Sequence, residues 1–227
     1  TRFLDMTQRR EFLRQASVLA AGSLAAVTVE AQGTAGAPPQ QNAAYDMSWV
    51  DRVNGRYRMA FDAPEISEGT ALHQVRSFLA GYSTVYGLKD ADLSAVLVIR
   101  HAAVPMVLGD ELWSDGKLGE KDELKDPATG EPTKRNPFIN IAAGSRYAAS
   151  WPDGALDTLM SRGVIVLACD LALSNFAGII ARNRSIPRQD AAALITQHLL
   201  PGVYRMPTGV FATCRAQAAG CGVMYAV

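Results

Sequence analysis

The sequence predicts an α/β protein: a three-layer α/β/α sandwich around a five-stranded, mostly parallel sheet. Two short stretches, residues 95–99 and 164–168, consist entirely of apolar side chains. Apolar runs this short, without polar alternation, are typical of strands buried on both faces of a parallel sheet. Stretches with helical periodicity separate the predicted strands, and this alternation implies right-handed crossovers within one sheet.

The first predicted strand covers residues 57–61 and ends at Asp62-Ala63-Pro64, because proline cannot donate to the strand ladder. Ser67 and Glu68 are expected to cap the helix that follows, and Gly87 to end it. The remaining predicted elements, in order, are a strand at 95–99, helices at 104–113 and 151–162, a strand at 164–168, helices at 171–182 and 187–199, a strand at 203–206, a helix at 209–219 and a strand at 222–227.

The N-terminal residues predict three regions: a leader at 1–31, a flexible linker at 32–55 and a folded domain at 56–227. The leader resembles a twin-arginine export signal, with Arg9 and Arg10 followed by an apolar stretch and the small-x-small sequence Val29-Glu30-Ala31. Export by this route predicts a periplasmic protein. The apolar stretch, at residues 12–30, is also a candidate membrane anchor, although its uncharged part is shorter than the roughly 20 residues that cross a bilayer unaided.

The composition excludes several classes of function. The 227 residues carry 22 basic and 22 acidic side chains without a basic run, so no nucleic-acid partner is expected. Three cysteines and three histidines lack the spacing of a metal site, and no metal is predicted. The sequence contains no G-x-S-x-G, Walker A or G-x-G-x-x-G motif, so no nucleotide or other cofactor is predicted either.

Residues 109–143 form an insertion that interrupts the strand–helix alternation. A connection of this length in a compact domain is usually a lid, a partner surface or a mobile excursion, and a solvated loop is the alternative. Trp113, Pro137 and Phe138 give the insertion apolar side chains with which to dock.

The candidate catalytic residues are Cys169, His101 and Asp62, each of which follows a predicted strand. The carboxyl ends of parallel strands form one edge where ligands bind, and neighbouring strands are about 4.8 Å apart. An imidazole oriented by Asp62 could then stabilise a Cys169 thiolate. Alternatively, Asp62 caps a turn, His101 binds a loop carbonyl and Cys169 packs as a small hydrophobic residue. The other two thiols, Cys214 and Cys221, are expected to stay unpaired because a helix and a turn hold them apart.

The chain resembles the DsrE/DsrF-like family over residues 57–227. The similar segments are the helix end Y-G-L, the strand V-L-V-I-R-H, the segment G-V-I-V-L-A-C-D-L-A-L and the closing P-G-V-Y-R-M-P-T-G-V-F-A-T-C-R-A-Q-A-A-G. The resemblance implies a five-stranded parallel sandwich of flavodoxin-like architecture and a homo-oligomer, a trimer or hexamer. It also implies that Cys169 corresponds to the cysteine that carries a persulfide in several members of the family.

Two functions follow from these observations. In the first, the chain is an exported sulfur carrier or other thiol-based protein that acts through Cys169. In the second, it is a non-catalytic accessory subunit, held by its leader at the periplasmic face of a respiratory or photosynthetic membrane complex, with the insertion docked on a partner.

Overall fold

The structure, a computed structural model, describes residues 44–121, 123–126, 129–141 and 153–227. The predicted leader at 1–31, the anchor at 12–30, the first part of the linker and the predicted helix start at Trp151-Pro152 lie outside the described residues. In that part of the chain, no helix is both long enough and apolar enough to cross a membrane.

The central sheet has five strands, all parallel, which confirms the predicted α/β fold. The strands lie in the order β4-β3-β2-β1-β5. Every residue of the central strands β2 and β3 is buried, as their uninterrupted apolar sequences predict. The strands are β1 (Tyr57–Ala63), β2 (Leu93–Ile99), β3 (Ile165–Cys169), β4 (Tyr204–Met206) and β5 (Gly222–Tyr225).

Helices cover both faces of the sheet. The helices are α1 (Thr70–Tyr86), α2 (Asp110–Gly116), α3 (Leu118–Lys121), α4 (Leu156–Ser161), α5 (Asp170–Arg184), α6 (Arg188–His198) and α7 (Gly209–Ala218). On one face, alternate strand residues such as Leu97 and Val166 form a core with apolar residues of α1 and α5. On the other face, Val98 and Leu167 pack with α7 and with Trp49.

The domain begins before residue 56, so the predicted linker at 32–55 extends too far. Trp49 is fully buried in the core beneath α7, within the short 3-10 helix Ser48–Arg52. The backbone N–H of Gly55 donates to Ser94 Oγ at 2.8 Å, which ties this segment to β2. A buried tryptophan holds the segment on the domain because its large apolar surface is removed from water.

Two predicted helix boundaries are wrong. Glu68 has φ of +52° and the helix α1 begins only at Thr70, with no side-chain cap from Ser67 or Glu68. The predicted helix at 104–113 is instead a 3-10 helix, His101–Val107, followed by α2. Pro105 lies inside that 3-10 helix, where its missing N–H and its ring disfavour a continuous α-helix. The predicted end of α1 at Gly87 is confirmed, with φ of +65° and its N–H bonded to Ser83 O.

The described part of the insertion packs onto the domain's own core and is not a solvated loop. Trp113 and Phe138 are both buried, with ring centroids 6.0 Å apart in an edge-on arrangement. The helix α2 is also held by Glu111, which accepts from Arg184 at 2.6 Å and lies 3.2 Å from His198 Nε2. Because these apolar rings are buried within the chain, they offer no surface on which a partner could dock.

Asn136 anchors the insertion through three buried hydrogen bonds. Its Nδ2 donates to Met106 O at 2.8 Å and to Leu108 O at 2.9 Å, and its Oδ1 accepts from the N–H of Phe138 at 2.9 Å. The side chain is itself buried.

We expect Asn136→Ala to lower the free energy of unfolding by about 1–3 kcal/mol, because it leaves buried backbone groups without partners. Urea denaturation followed by circular dichroism measures this change. The matched control is Asn54→Ala, at an exposed asparagine with one local 3.3 Å bond to Asp51 O, for which we expect a change within about 0.5 kcal/mol. Equal effects of the two substitutions would contradict the anchoring role of Asn136.

Candidate functional site

Cys169 lies where the sequence placed it, at the carboxyl end of a buried parallel strand. It is the last residue of β3 and the N-cap of the 15-residue helix α5. Its side chain is a free thiol, 5% exposed, in the wall of a cavity of about 510 Å³. A thiol in this position can meet a small molecule without being open to bulk solvent.

The cavity is formed by four segments of the chain that converge at the carboxyl edge of the sheet. They are the turn after β2, the start of α5, the start of α7 and the end of α3 in the insertion. The residues that line the cavity are Arg100, His101, Ala102, Val104, Pro105, Lys121, Cys169, Leu171, Ala172, Asn175, Phe176, Ile179, Thr208, Gly209 and Val210.

His101 and Cys169 line this same cavity, so the two residues share one edge of the sheet as predicted. The last pair of the β2–β3 ladder is Ile99↔Ala168; Cys169 is the next residue after Ala168, and His101 is the second residue after Ile99. His101 is exposed and has φ of +47°, in the left-handed region. Histidine is among the residues found there more often than most, and this conformation turns the chain sharply out of the strand.

Asp62 occupies a different position from the one the sequence predicted. The strand β1 continues to Ala63, so Asp62 lies within the strand, opposite Val98 of β2 and Tyr225 of β5. Its two carboxylate oxygens accept from Arg100, Oδ1 from Nε at 2.5 Å and Oδ2 from Nη2 at 2.9 Å. The carboxylate therefore binds Arg100, and the predicted role of orienting the His101 imidazole is wrong.

Arg100 is the site residue that sequence reasoning missed. The hydrogen bond to Asp62 raises the pKa of the Arg100 guanidinium, although burial opposes this rise. Arg100 and Cys169 both line the cavity. The sequence contained one signal for Arg100. This residue directly follows the apolar run at 95–99, as Cys169 follows the run at 164–168, so the two residues occupy equivalent positions at the ends of neighbouring strands.

Gly209 allows the Arg100 side chain to lie across the start of α7. A Cβ atom at Gly209 would stand 2.5 Å from Arg100 Cδ and 2.7 Å from Arg100 Cβ, both far inside van der Waals contact. The start of α7 is fixed by Thr208, whose Oγ1 accepts from the N–H of Phe211 at 3.0 Å. The sequence Thr208-Gly209 thus provides both the helix cap and the space that the guanidinium needs.

Cys169 lies at a helix terminus that attracts anions. The N-terminus of a helix carries a partial positive charge that stabilises an anion, and Cys169 stands at the N-terminus of α5. The guanidinium of Arg100 lines the same cavity, paired with Asp62. The acidic neighbour in the chain, Asp170, is bound by Arg205, whose Nε donates to Oδ1 at 2.6 Å.

In the part of the chain that the structure describes, no group of three or more His, Cys, Asp or Glu side chains could hold a metal ion. The other two cysteines, Cys214 and Cys221, are free thiols and do not form a disulfide. Among the described residues that line the cavity, those with reactive or charged side chains are Cys169, Arg100, His101 and Lys121.

Comparisons with known proteins give little beyond this geometry. No family model matches the chain, and no curated protein matches it. Among solved structures, the chain is similar to a protein of unknown function from Methanobacterium thermoautotrophicum, with 17% identity, a TM-score of 0.37 and coverage of 74% of this chain and 98% of the other. At this level of similarity the relative contributes nothing to the assignment of the site.

We expect Gly209→Ala to lower the free energy of unfolding by about 1–3 kcal/mol, because the added methyl group displaces Arg100 from its place beside Asp62. Gly81→Ala is the matched control, since a Cβ atom at Gly81 meets nothing within 4 Å in the helix α1. We expect that substitution to stabilise the protein by about 0.5–1 kcal/mol. Urea denaturation of both variants tests the contact, and a neutral Gly209→Ala would contradict it.

Cys221 should be less reactive than the exposed Cys214. Burial raises the pKa of the Cys221 thiol, and the charge of Arg58 lowers it only in part. Because the thiolate is the reactive form, we expect Cys221 to be alkylated by iodoacetamide at least about tenfold more slowly than the exposed Cys214 at pH 8. The rate should rise with pH toward the raised pKa. In the unfolded chain this thiol has its ordinary, lower pKa. The free energy of unfolding therefore falls as pH rises from that ordinary pKa to the raised pKa of the folded state. Peptide mass spectrometry over a pH series measures both rates, and equal rates would contradict the prediction.

Proposed function

We propose that this chain is a sulfur carrier of the DsrE/DsrF-like kind, in which the Cys169 thiolate accepts a sulfane sulfur and holds it as a persulfide. The observation that carries the proposal is the position of Cys169, at the N-terminus of α5 and in the wall of a cavity that Arg100 also lines. These features stabilise an attacking thiolate, and they also stabilise the anion that forms when the persulfide product loses its proton.

The transfer needs no redox partner. The Cys169 thiolate attacks the outer sulfur of a donor persulfide R–S–SH, and a new S–S bond forms while the donor S–S bond breaks. The electron pair of the broken bond leaves with the donor as R–S⁻, and the proton stays on the transferred sulfur. An acceptor thiolate then attacks that sulfur in the same way and restores the Cys169 thiolate.

In this proposal Arg100 acts as a cation and His101 exchanges a proton with the sulfur atom. Arg100 is held by Asp62 and stabilises negative charge on the thiolate. His101, which is exposed and lines the cavity, can accept the proton that the thiol or the persulfide releases. Asp62 is a positioning residue, since its oxygens bind Arg100.

Export and assembly remain predictions. The twin-arginine leader at 1–31 and the anchor at 12–30 would place the carrier in the periplasm or at its membrane surface, and the family resemblance implies a trimer or hexamer. The accessory-subunit function assigned partner docking to the insertion, but the apolar rings of the described insertion are buried in the domain.

We expect Cys169→Ser to lower persulfide loading of the domain at least about tenfold, because the substitution removes the nucleophile. Incubation with glutathione persulfide, followed by intact-mass and peptide mass spectrometry, detects the mass of one added sulfur atom and the cysteine that carries it. Cys214→Ser is the matched control, because Cys214 is an exposed thiol outside the cavity, and this variant should load as the unmodified protein does.

Circular dichroism of both variants verifies that each is folded. Loading of Cys169→Ser at the unmodified level, or loading that maps to Cys214 in the unmodified protein, would overturn the proposal. A Cys169→Ala variant gives a second measurement if the serine variant does not fold.

A further inference from the structure

The cavity beside Cys169 has the size and surface of a small-molecule site. Its volume of about 510 Å³ lies within the range of roughly 300–1,000 Å³ that is usual for such sites. The walls are formed largely by apolar side chains, of which Leu171 and Val210 are exposed and Ile179 is half-buried. The free energy of binding becomes more favourable when an apolar ligand body removes these side chains from water.

Among the described residues, the ionisable side chains that line the cavity include bases and no carboxylate. Of the residues that line it within the described part of the chain, Arg100 and Lys121 carry positive charge and His101 can gain one, while none is an aspartate or glutamate. The charge of Arg100 is balanced by Asp62. Lys121 forms no ion pair with any residue that the structure describes, so its positive charge is left for a ligand.

The burial of Cys169 favours a small ligand over a protein surface. The residue is 5% exposed and stands in a concave wall, so a donor sulfur must enter the cavity to reach it. A small molecule can enter whole. A cysteine on a folded protein surface is held close to its own backbone and has to be presented on a protruding segment.

We propose that the cavity binds a small organic persulfide with an apolar body and an anionic group, and that this molecule is the sulfur donor of the proposed function, on which this inference rests. The apolar body covers Leu171 and Ile179, and the anionic group is attracted to Lys121. The sulfane sulfur then meets the Cys169 thiolate. The thiolate forms the new S–S bond, and the donor leaves as its thiolate R–S⁻ with the electron pair of the broken bond.

Binding can be measured without sulfur chemistry by using octanoate as the probe. We expect octanoate to slow the alkylation of Cys169 by iodoacetamide and to leave the alkylation of Cys214 unchanged. Acetate has the charge without the apolar body and should protect Cys169 at least about tenfold less well at equal concentration. Octanol has the body without the charge and should protect about two- to fivefold less well, the effect of losing one solvent-exposed ion pair. Peptide mass spectrometry follows both cysteines in one sample.

The substitution Lys121→Met tests whether the charge of Lys121 attracts the anionic group of the ligand. We expect it to raise the octanoate concentration for half-protection about two- to fivefold, the effect of losing one solvent-exposed ion pair. Lys134→Met is the matched control, because Lys134 is an exposed lysine of the same insertion that does not line the cavity, and it should leave that concentration unchanged. Circular dichroism shows whether both variants are folded.

Sulfur transfer is tested with two donors of opposite charge. The persulfide of mercaptooctanoate should load Cys169 about tenfold faster than the persulfide of cysteamine, and octanoate should inhibit the faster reaction.

The outcomes separate this inference from the proposed function. Protection by octanoate without any persulfide on Cys169 overturns the carrier function and supports the ligand class. Loading of Cys169 from both donors at equal rates, with no protection by octanoate, overturns the ligand class and supports the carrier. Loading from a protein persulfide alone also overturns the ligand class.

Discussion

The bidentate pair between Asp62 and Arg100 is the interaction on which the site depends. It joins β1 to the residue that follows β2, and both side chains are largely shielded from water, at 14% and 16% exposure. A guanidinium held by two charge-assisted hydrogen bonds has little freedom, so its position relative to Cys169 is set in advance. Gly209 completes this arrangement by leaving room for the arginine stem. One ion pair thus joins the edge of the sheet to the start of α7, and its arginine lines the same cavity as Cys169.

The insertion contributes to the same site from the other side. Its described residues are fixed to the domain by Asn136 and by buried aromatic rings, and the short helix α3 brings Lys121 to the cavity. An insertion held in this way can form part of a pocket wall, because it is fixed in place, whereas a loop without such contacts is mobile. The cavity is therefore a joint product of the α/β scaffold and of the segment that interrupts it.

Cys169 and His101 illustrate what sequence reasoning can reach. Each follows an uninterrupted apolar run, and such runs form neighbouring buried strands, so both residues were expected at the same edge of the sheet and both line one cavity. Asp62 illustrates the limit of this reasoning. The strand β1 proved two residues longer than predicted, and a carboxylate assigned to an imidazole binds the neighbouring guanidinium instead. The residue at which a strand ends depends on the strands that pair with it. The sequence around that residue does not contain this information.

The sequence by itself determined the class of fold, the central strands and the thiol at their carboxyl edge, because these follow from the order and periodicity of apolar residues along the chain. Only the tertiary structure decided that Asp62 binds Arg100, that Trp49 belongs to the domain and that Lys121 faces the same cavity as Cys169. These contacts join residues far apart in the chain. Their partners are chosen by strand register, side-chain length and the space left by neighbours such as Gly209, and those quantities exist only once the segments have packed together.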